Sequence, residues 1–185
     1  MTGGSGIRVD CHSLTGAAAL SAIDVVQEIY ADIYAEPPYC EGPADVKEFV
    51  EGWPRRVGQA GFRLVLARCG DGLAGFTFGH QLLPGTHWWK GATTHFPDDL
   101  TKEFPGRTFV IIELAVRKEC RRRGVGRALH DALLSEKTEE RVTLLARPEA
   151  EPAQRAYRSW GYRHVGQIRP FPGGPLYGSL LREKL

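Results

Sequence analysis

The sequence predicts an α/β fold in which helices flank a mixed, twisted β-sheet, and three observations support this fold class. Residues 109–116 are almost all apolar and rich in β-branched types, as in a strand covered on both faces. From residue 125 onward, apolar residues recur at helical spacing. Residues 69–72, Cys-Gly-Asp-Gly, separate two apolar runs, which is typical of a β-hairpin. We expect one domain over residues 6–185 and a flexible N-terminus over residues 1–5.

The N-terminal half is predicted to contain a strand, two helices and the hairpin. The strand covers residues 7–11, and the first helix covers 21–34, where an apolar stripe ends before Pro37-Pro38. The second helix covers 43–58. The hairpin strands cover 62–68 and 73–80, and a long loop rich in Pro, Gly, His and Trp follows at 81–106.

The C-terminal half alternates strands and helices. Strand 109–116 leads into a helix from about residue 124, which is followed by a strand at 142–146. The next helix starts at Pro152 and stops at Gly161, residues suited to those two helix ends. Strands 162–168 and 176–182 form a second hairpin. The predicted order is β-α-α-β-β-β-α-β-α-β-β.

The turn between the central strand and its helix is a local basic patch. Residues 117–127 hold six Lys or Arg against one acid, so their charge is +5 in a chain whose net charge is only +2. Gly124 and Gly126 leave the backbone accessible at the start of a helix, where N–H groups and the helix dipole favour an anion. We therefore predict a pyrophosphate site. A nucleic-acid patch is the alternative, and the sequence offers no second basic stripe to support it.

Two other phosphate-binding motifs fit the sequence less well. The glycines form only Gly-x-Gly, and no acid follows about 20 residues later to bind a ribose, as in a dinucleotide fold. A P-loop is excluded because no Gly-Lys-Ser/Thr follows the glycines.

Two segments resemble the signature of the Gcn5-related N-acetyltransferase (GNAT) superfamily. Residues 121–126, Arg-Arg-Arg-Gly-Val-Gly, match its Gln/Arg-x-x-Gly-x-Gly/Ala pyrophosphate loop. Residues 151–162 are similar to its Asn-x-x-Ala-x-x-x-Tyr-x-x-x-Gly-Phe segment, with Glu151 at the Asn position and Tyr162 at the Phe position. Both segments occur in the family's order and at its spacing. The family also shows the order of strands and helices predicted above.

The resemblance implies acetyl-coenzyme A as cosubstrate. Separately, the six histidines have no metal-ligand spacing, so we expect no metal. It implies that the backbone of Leu114, Ala115 and Val116 binds the pantetheine arm as an extra strand would. The implied cofactor-binding residues elsewhere are Arg121, Arg122, Arg123, Gly124, Val125, Gly126, Arg127, Ala128, Glu151 and Tyr157. Because Glu151 replaces the family's Asn, its polar contact to coenzyme A is in doubt.

Glu113 is the candidate general base. It is the only charged residue of an otherwise apolar strand, where a carboxylate is costly unless it is hydrogen-bonded or functional. Family members often use an acid near this position to accept the amine proton, commonly through water. The structural alternative is a Glu that binds backbone amides or an Arg.

Tyr157 is the candidate general acid. The resemblance places it where family members carry the tyrosine that protonates the coenzyme A thiolate. Its place on the apolar stripe of a predicted helix fits a core aromatic equally well.

The acceptor is expected to meet two loops, because these shape the acceptor site in the family. The candidate substrate-binding residues are Glu36, Tyr39, Glu41, Trp88 and Trp89. Acids and aromatics together suit a cationic amine with some apolar surface. A Trp pair in a loop is as often a packing plug, so both interpretations stay open for Trp88 and Trp89.

The sequence therefore predicts an acetyl-coenzyme A-dependent N-acetyltransferase that acts by direct attack in a ternary complex. The acceptor is a small-molecule or peptide amine, with a cationic small molecule favoured and a protein lysine as the alternative. A non-catalytic coenzyme A-binding sensor is the rival class. We expect no nucleic-acid partner and no membrane association, and a homodimer stays open. Four cysteines without paired or metal-like spacing indicate reduced thiols and a cytoplasmic location.

Overall fold

The computed structural model describes residues 8–136 and 138–183. Residues 1–5, for which a flexible N-terminus is expected, lie outside this range. The described residues divide into two compact units, 8–79 with 113–136 and 80–112 with 138–183. Each unit is described by itself below.

The first unit contains most of the helices. Its elements are β1 (Val9–Leu14), α1 (Gly16–Ser21), α2 (Ile23–Tyr34), α3 (Pro43–Glu51), α4 (Trp53–Val57), β2 (Arg63–Cys69), the start of β3 (Gly72–Leu82), the end of β4 (Thr108–Val116), a 3₁₀ turn at Lys118–Cys120 and α6 (Val125–Leu134). Strands β1, β2 and β3 pair antiparallel, with Val9 opposite Cys69 and Arg63 opposite Gly79.

The second unit contains the remaining strands. Its elements are the end of β3, α5 (Asp98–Thr101), the start of β4, β5 (Arg141–Ala146), α7 (Glu151–Ser159), β6 (Arg163–Ile168) and β7 (Tyr177–Glu183). β4 and β5 pair parallel, and β7 pairs antiparallel with both β5 and β6. The seven strands follow the order β1-β2-β3-β4-β5-β7-β6, which confirms the predicted mixed sheet flanked by helices.

Apolar periodicity explains how α2 packs. Its buried residues, Val26, Ile29, Tyr30, Ile33 and Tyr34, recur every three or four positions and so form one face of the helix. The rings of Tyr30 and Phe49 stack at 4.0 Å between centroids, which joins α2 to α3. This packing brings two tyrosine hydroxyls to the inner side of α2.

The two predicted N-terminal helices differ from the structure in different ways. The first, predicted over 21–34, corresponds to α2, and the structure adds the unpredicted helix α1 before it, separated at Ala22 with φ and ψ of −81° and 3°. The second divides at Gly52, just before Trp53-Pro54. Pro54 has no N–H to continue the hydrogen bonding of α3, but it suits the first turn of a new helix.

Two further predictions need correction. β1 covers Val9–Leu14 and so ends three residues beyond the predicted strand 7–11, whose residue 7 lies outside the described residues. Its residues are mostly exposed, so no apolar pattern marks its end. The segment at 81–106 is not a plain loop, because it contains the short helix α5 and a β-bridge from Ala92 to Ile168.

Candidate active site

Glu113 lies on β4 and is held there through its backbone and its side chain. The buried Thr77 hydroxyl on β3 donates a hydrogen bond to the Glu113 carbonyl oxygen at 2.6 Å. Gly75 allows β3 to approach β4 closely, since a Cβ there would lie 2.2 Å from the Ala115 carbonyl oxygen. Together these contacts fix the backbone that carries the carboxylate.

The Glu113 side chain accepts a hydrogen bond from the Tyr34 hydroxyl of α2. Tyr34 is buried, and its ring packs 4.3 Å from that of Tyr30. The Tyr30 hydroxyl in turn donates to Glu41 Oε2 at 2.5 Å. The ring of Tyr39 packs edge-on against Tyr34 at 4.8 Å. Two of the predicted acceptor residues, Tyr39 and Glu41, thus belong to the surroundings of the candidate base.

The environment of Glu113 shifts its pKa into the neutral range. Four influences together bring the pKa to about 7. Burial raises it most and the nearby Glu41 carboxylate also raises it, whereas the hydrogen bond from Tyr34 and the Arg56 guanidinium lower it. A carboxylate with this pKa can both accept and release a proton at neutral pH.

The cofactor loop, defined as residues 121–128, has the geometry of an anion cradle. α6 begins at Val125, directly after Gly124 with a φ of +82°, a conformation that favours glycine. Arg122 is also left-handed, with a φ of +61°. A Cβ at Gly124 would meet no atom within 4 Å, so the space next to this backbone is open. The loop therefore fits a pyrophosphate on the first N–H groups of α6.

Acidic partners neutralise part of the basic patch. Arg117 contacts Glu28 at 2.7 Å and Asp32 at 3.0 Å, both on α2. Arg127 contacts Asp131 on its own helix at 2.6 Å. Arg122 and Arg123 are exposed and form no ion pair within the described ranges. The patch is therefore narrower than the sequence predicts, and this further weakens the nucleic-acid alternative.

Glu36, a predicted substrate residue, forms an ion pair with the cofactor loop. Its Oε2 lies 2.8 Å from the Arg121 guanidinium, and Arg121 Nε also donates to the Val116 carbonyl oxygen at 2.9 Å. This carboxylate compensates a charge of the cofactor loop. Val125, a predicted cofactor-binding residue, has a buried side chain, so only its backbone can contact a ligand.

The pairing of β4 with β5 stops before the residues that are predicted to bind the pantetheine arm. β4 pairs with β5 from Thr108 opposite Arg141 to Ile111 opposite Leu144. β4 itself continues to Val116. Leu114, Ala115 and Val116 thus lie beyond the last pair of this ladder, on a part of β4 that the Gly75 contact holds in place.

Tyr157 and Glu151 lie on α7 in the second unit. Tyr157 is buried, and its ring packs edge-on against Trp160 at 5.5 Å and Tyr162 at 5.6 Å. Glu151 is the first residue of α7, and its exposed carboxylate contacts Arg155 at 3.2 Å. At a helix N-terminus an acid is electrostatically favoured, which gives Glu151 a structural reason to replace Asn.

Trp88 and Trp89 pack inside the second unit. Trp89 is 8% exposed, and its indole N–H donates to Glu103 at 2.9 Å. It belongs to an apolar cluster with Phe96, and the half-buried Trp88 packs against that cluster. This packing is what the plug interpretation predicts for Trp89, and the acceptor interpretation stays a prediction for the partly exposed Trp88.

The sequence interpretation missed three groups near the candidate base: Tyr30, Tyr34 and Arg56. Tyr30 is part of the apolar stripe that predicts the first helix, and Tyr34 lies at that helix's end. The signal that could have found them is chemical, because a buried tyrosine hydroxyl needs a hydrogen-bond partner. Arg56 donates to the Phe49 carbonyl oxygen at 3.0 Å and lies over the Phe49 ring, so its charge is fixed near this cluster.

Comparison with protein families identifies the family of this chain. The model of the acetyltransferase (GNAT) domain matches residues 63–164, which is more than half of the chain. The chain belongs to the GNAT acetyltransferase family. The match includes the candidate base, the cofactor loop and Tyr157. Comparison with curated protein sequences finds no match.

Solved structures of GNAT proteins share the fold across nearly the whole chain. An acetyltransferase from Thermus thermophilus superposes with a TM-score of 0.65 at 15% identity, covering 97% of this chain and 99% of that chain. The PaiA N-acetyltransferase from Thermoplasma acidophilum, in complex with coenzyme A, gives 0.64 at 8% identity, with coverages of 96% and 100%. The ribosomal-protein-S18-alanine N-acetyltransferase from Escherichia coli gives 0.62 at 16% identity, with coverages of 95% and 94%.

The described part of the GNAT chain lacks two kinds of feature. No helix there is long and apolar enough to cross a membrane. No cluster of three or more His, Cys, Asp or Glu residues among residues 8–136 and 138–183 could hold a metal ion.

Proposed function

We propose that this GNAT protein is an acetyl-coenzyme A-dependent N-acetyltransferase that acetylates a primary amine of a cationic small molecule. The observation that carries the proposal is the environment of Glu113, a half-buried carboxylate on β4 whose pKa is raised to about 7. Such a group is a suitable general base at neutral pH.

The chain offers a consistent set of groups to coenzyme A, which supplies an activated acetyl thioester when bound. The backbone N–H groups at the start of α6 would bind the pyrophosphate, and Arg122 and Arg123 would add positive charge nearby. The backbone of Leu114, Ala115 and Val116 would hold the pantetheine arm. An N–H of this segment can also stabilise the developing oxyanion.

Glu113 would remove the proton that prevents the acceptor amine from acting as a nucleophile. An amine with a pKa of about 10.4 is unprotonated at neutral pH in only about one molecule in a few thousand. By accepting the proton, directly or through one water, the Glu113 carboxylate makes the amine nucleophilic. Both substrates bind together and the amine attacks directly, so no covalent enzyme intermediate is needed.

Tyr157 serves as the general acid in this proposal. The support for its role is its place in the segment at residues 151–162 that resembles the family motif. The hydroxyl donates its proton to the leaving thiolate.

Charge supports a cationic acceptor. The carboxylates of Glu113 and Glu41 influence each other electrostatically, and each of them attracts a positively charged ligand when it is ionised. Tyr39 adds an aromatic surface beside them, which suits a cation with some apolar bulk.

The test is thiol release from acetyl-coenzyme A with a panel of amines: an aminoglycoside, a polyamine, amino acids and a lysine peptide. We expect turnover with at least one small cationic amine. Turnover with the lysine peptide alone would make the protein a protein-lysine acetyltransferase. Binding of coenzyme A without turnover of any amine would contradict an enzyme and favour the sensor.

A further inference from the structure

Glu113 is one of five polar groups that the helices collect in one place. Tyr34 and Tyr30 come from α2, Glu41 from the segment before α3, and Arg56 from α4. Both tyrosines are less than 10% exposed, and their rings are in contact. The first unit thus surrounds the candidate base with two hydroxyls, one carboxylate and one guanidinium.

Tyr34 and Glu41 act on Glu113 in opposite ways. The Tyr34 hydroxyl donates a hydrogen bond to the Glu113 carboxylate and so stabilises its ionised form. Burial and the neighbouring carboxylate hold the pKa of Tyr34 well above its usual value, so this hydroxyl keeps its proton and remains a donor. Glu41 instead places a like charge near Glu113, which favours the protonated form.

Glu41 is connected both to the cluster and to solvent. Its Oε2 accepts the Tyr30 hydrogen bond at 2.5 Å, and its backbone N–H donates to the Tyr34 carbonyl oxygen at 2.8 Å. The same residue lines an open cavity of about 670 Å³ between α2 and α3, whose walls include Ala31 and Val46. Glu41 therefore contacts the cluster on one side and an open cavity on the other.

We propose that Tyr34 and Glu41 are positioning residues for Glu113, the first by holding its carboxylate through a hydrogen bond and the second by setting a negative charge beside it. The role rests on the proposed function of Glu113 as the general base. In this arrangement Tyr34 fixes the rotamer of the base, and the balance of the two residues sets the pH at which it works. Tyr30 orients Glu41, and Arg56 limits the total negative charge.

Substitutions of Tyr34 and Glu41 should shift the pKa of Glu113 in opposite directions. Tyr34→Phe removes the donor, so the pKa of Glu113 should rise by about one unit. Glu41→Gln removes the like charge and keeps the size, so the pKa of Glu113 should fall by about half a unit or more. A purely structural role for both residues would not move the pKa in two directions.

The experiment is a ¹³C NMR titration of the glutamate side-chain carboxyl carbons in the full chain without cosubstrate or amine. Glu113→Gln assigns the Glu113 resonance. Glu51→Gln is the matched control, because it removes the same charge from an exposed site on α3 that contacts Lys47 at 3.8 Å. We expect a wild-type midpoint near pH 7, a higher midpoint in Tyr34→Phe, a lower one in Glu41→Gln and no change in Glu51→Gln.

Shifts in the same direction, or no shift in either variant, would overturn the proposal. Should Tyr34→Phe not fold, Glu41→Gln decides alone: a lower midpoint supports the proposal and an unchanged one rejects it. In a transferase assay, the acid limb of kcat/KM should move with the NMR midpoints. Because the titration needs no turnover, failure of the acetyltransferase function and failure of this inference are separate results.

Discussion

At the scale of single residues, the raised pKa of Glu113 links the candidate base to stability. The folded-state pKa is about 7, above the ordinary value of 4.5, so the folded protein binds this proton more tightly than the unfolded chain does. The resulting stability is fully present below pH 4.5 and is lost as the pH rises through 7. The sequence alone predicts burial of an acid at this position, but it does not give the size of the effect.

We expect wild-type protein to lose up to about 3 kcal/mol of unfolding free energy relative to Glu113→Gln between pH 4.5 and pH 8. Gln keeps the size of the side chain but cannot ionise, so the variant lacks this dependence. Urea unfolding of both proteins across this range measures the difference. A gap that stays constant with pH would show that Glu113 has an ordinary pKa in the folded protein.

Tyr157→Phe should lower kcat roughly ten- to a hundred-fold with little change in acetyl-coenzyme A affinity. The loss is modest because a thiolate with a pKa near about 8.5 leaves tolerably without a proton donor. Tyr162→Phe is the matched control, since it removes a hydroxyl from the neighbouring ring and restores the family's residue. Unchanged kcat in Tyr157→Phe would make Tyr157 a core aromatic only.

Glu113 could be predicted from the sequence, whereas its hydrogen bond from Tyr34 could not. An acid alone in an apolar strand is visible in a short window, and the family motif adds a role. The bond from Tyr34 joins residues 79 positions apart, and the tyrosine itself looks like one more member of an apolar helix stripe. Only the packing of α2 against β4 reveals that its hydroxyl faces the carboxylate.

At the scale of structural elements, the cofactor loop depends on the backbone of Gly124. Gly124→Val should weaken coenzyme A binding at least about ten-fold, because the φ of +82° opposes a β-branched residue and the side chain would enter the open cradle. Isothermal titration calorimetry with coenzyme A measures the loss. The Gly-x-Gly pattern of the sequence already predicts the role of this glycine.

Gly106→Val is the control for Gly124→Val. Gly106 has nearly the same φ, +83°, and open space around its Cβ, but it lies in the turn before β4. It should lose similar stability while coenzyme A affinity stays unchanged. Equal losses of affinity in the two variants would mean that backbone strain, rather than the cradle, causes the effect.

The ion pair between Arg121 and Glu36 gives a second test at this scale. Glu36→Gln should tighten coenzyme A binding by a few-fold at most, because it removes a negative charge beside the pyrophosphate site and partly exposed pairs are weak. The KM of the acceptor amine should not change. A raised amine KM with unchanged coenzyme A affinity would place Glu36 in the acceptor site that the sequence predicts.

Helix ends and edge strands show where the sequence is a weaker guide. The break at Gly52 has a local signal in Trp53-Pro54, but the apolar spacing continues across it. β1 is paired along its whole length yet is mostly exposed, so hydrogen bonding rather than burial defines it. Its bounds therefore follow from β2 and not from its own residues.

At the scale of the whole molecule, the sheet and the family were accessible from the sequence because their signals are long or repeated. The buried β4, the following helix and two hairpins supply the order of elements, and two spaced motifs supply the family. The charge pattern of the sequence was a poorer guide to the structure. Arg117, Arg121 and Arg127 count toward a basic patch in the sequence, but each contacts an acid in the structure.

The most direct test of the account is the pH dependence of kcat/KM for wild-type protein and Glu113→Gln with the best amine of the panel. We expect the wild-type value to rise with pH through about 7 as Glu113 loses its proton, or through the amine's own pKa where that limits the rate. Glu113→Gln should be slower by about 10²–10⁴-fold at neutral pH and should recover in part at high pH, where the amine deprotonates in solution. Equal rates for the two proteins at every pH would show that the carboxylate is structural and would contradict Glu113 as the base.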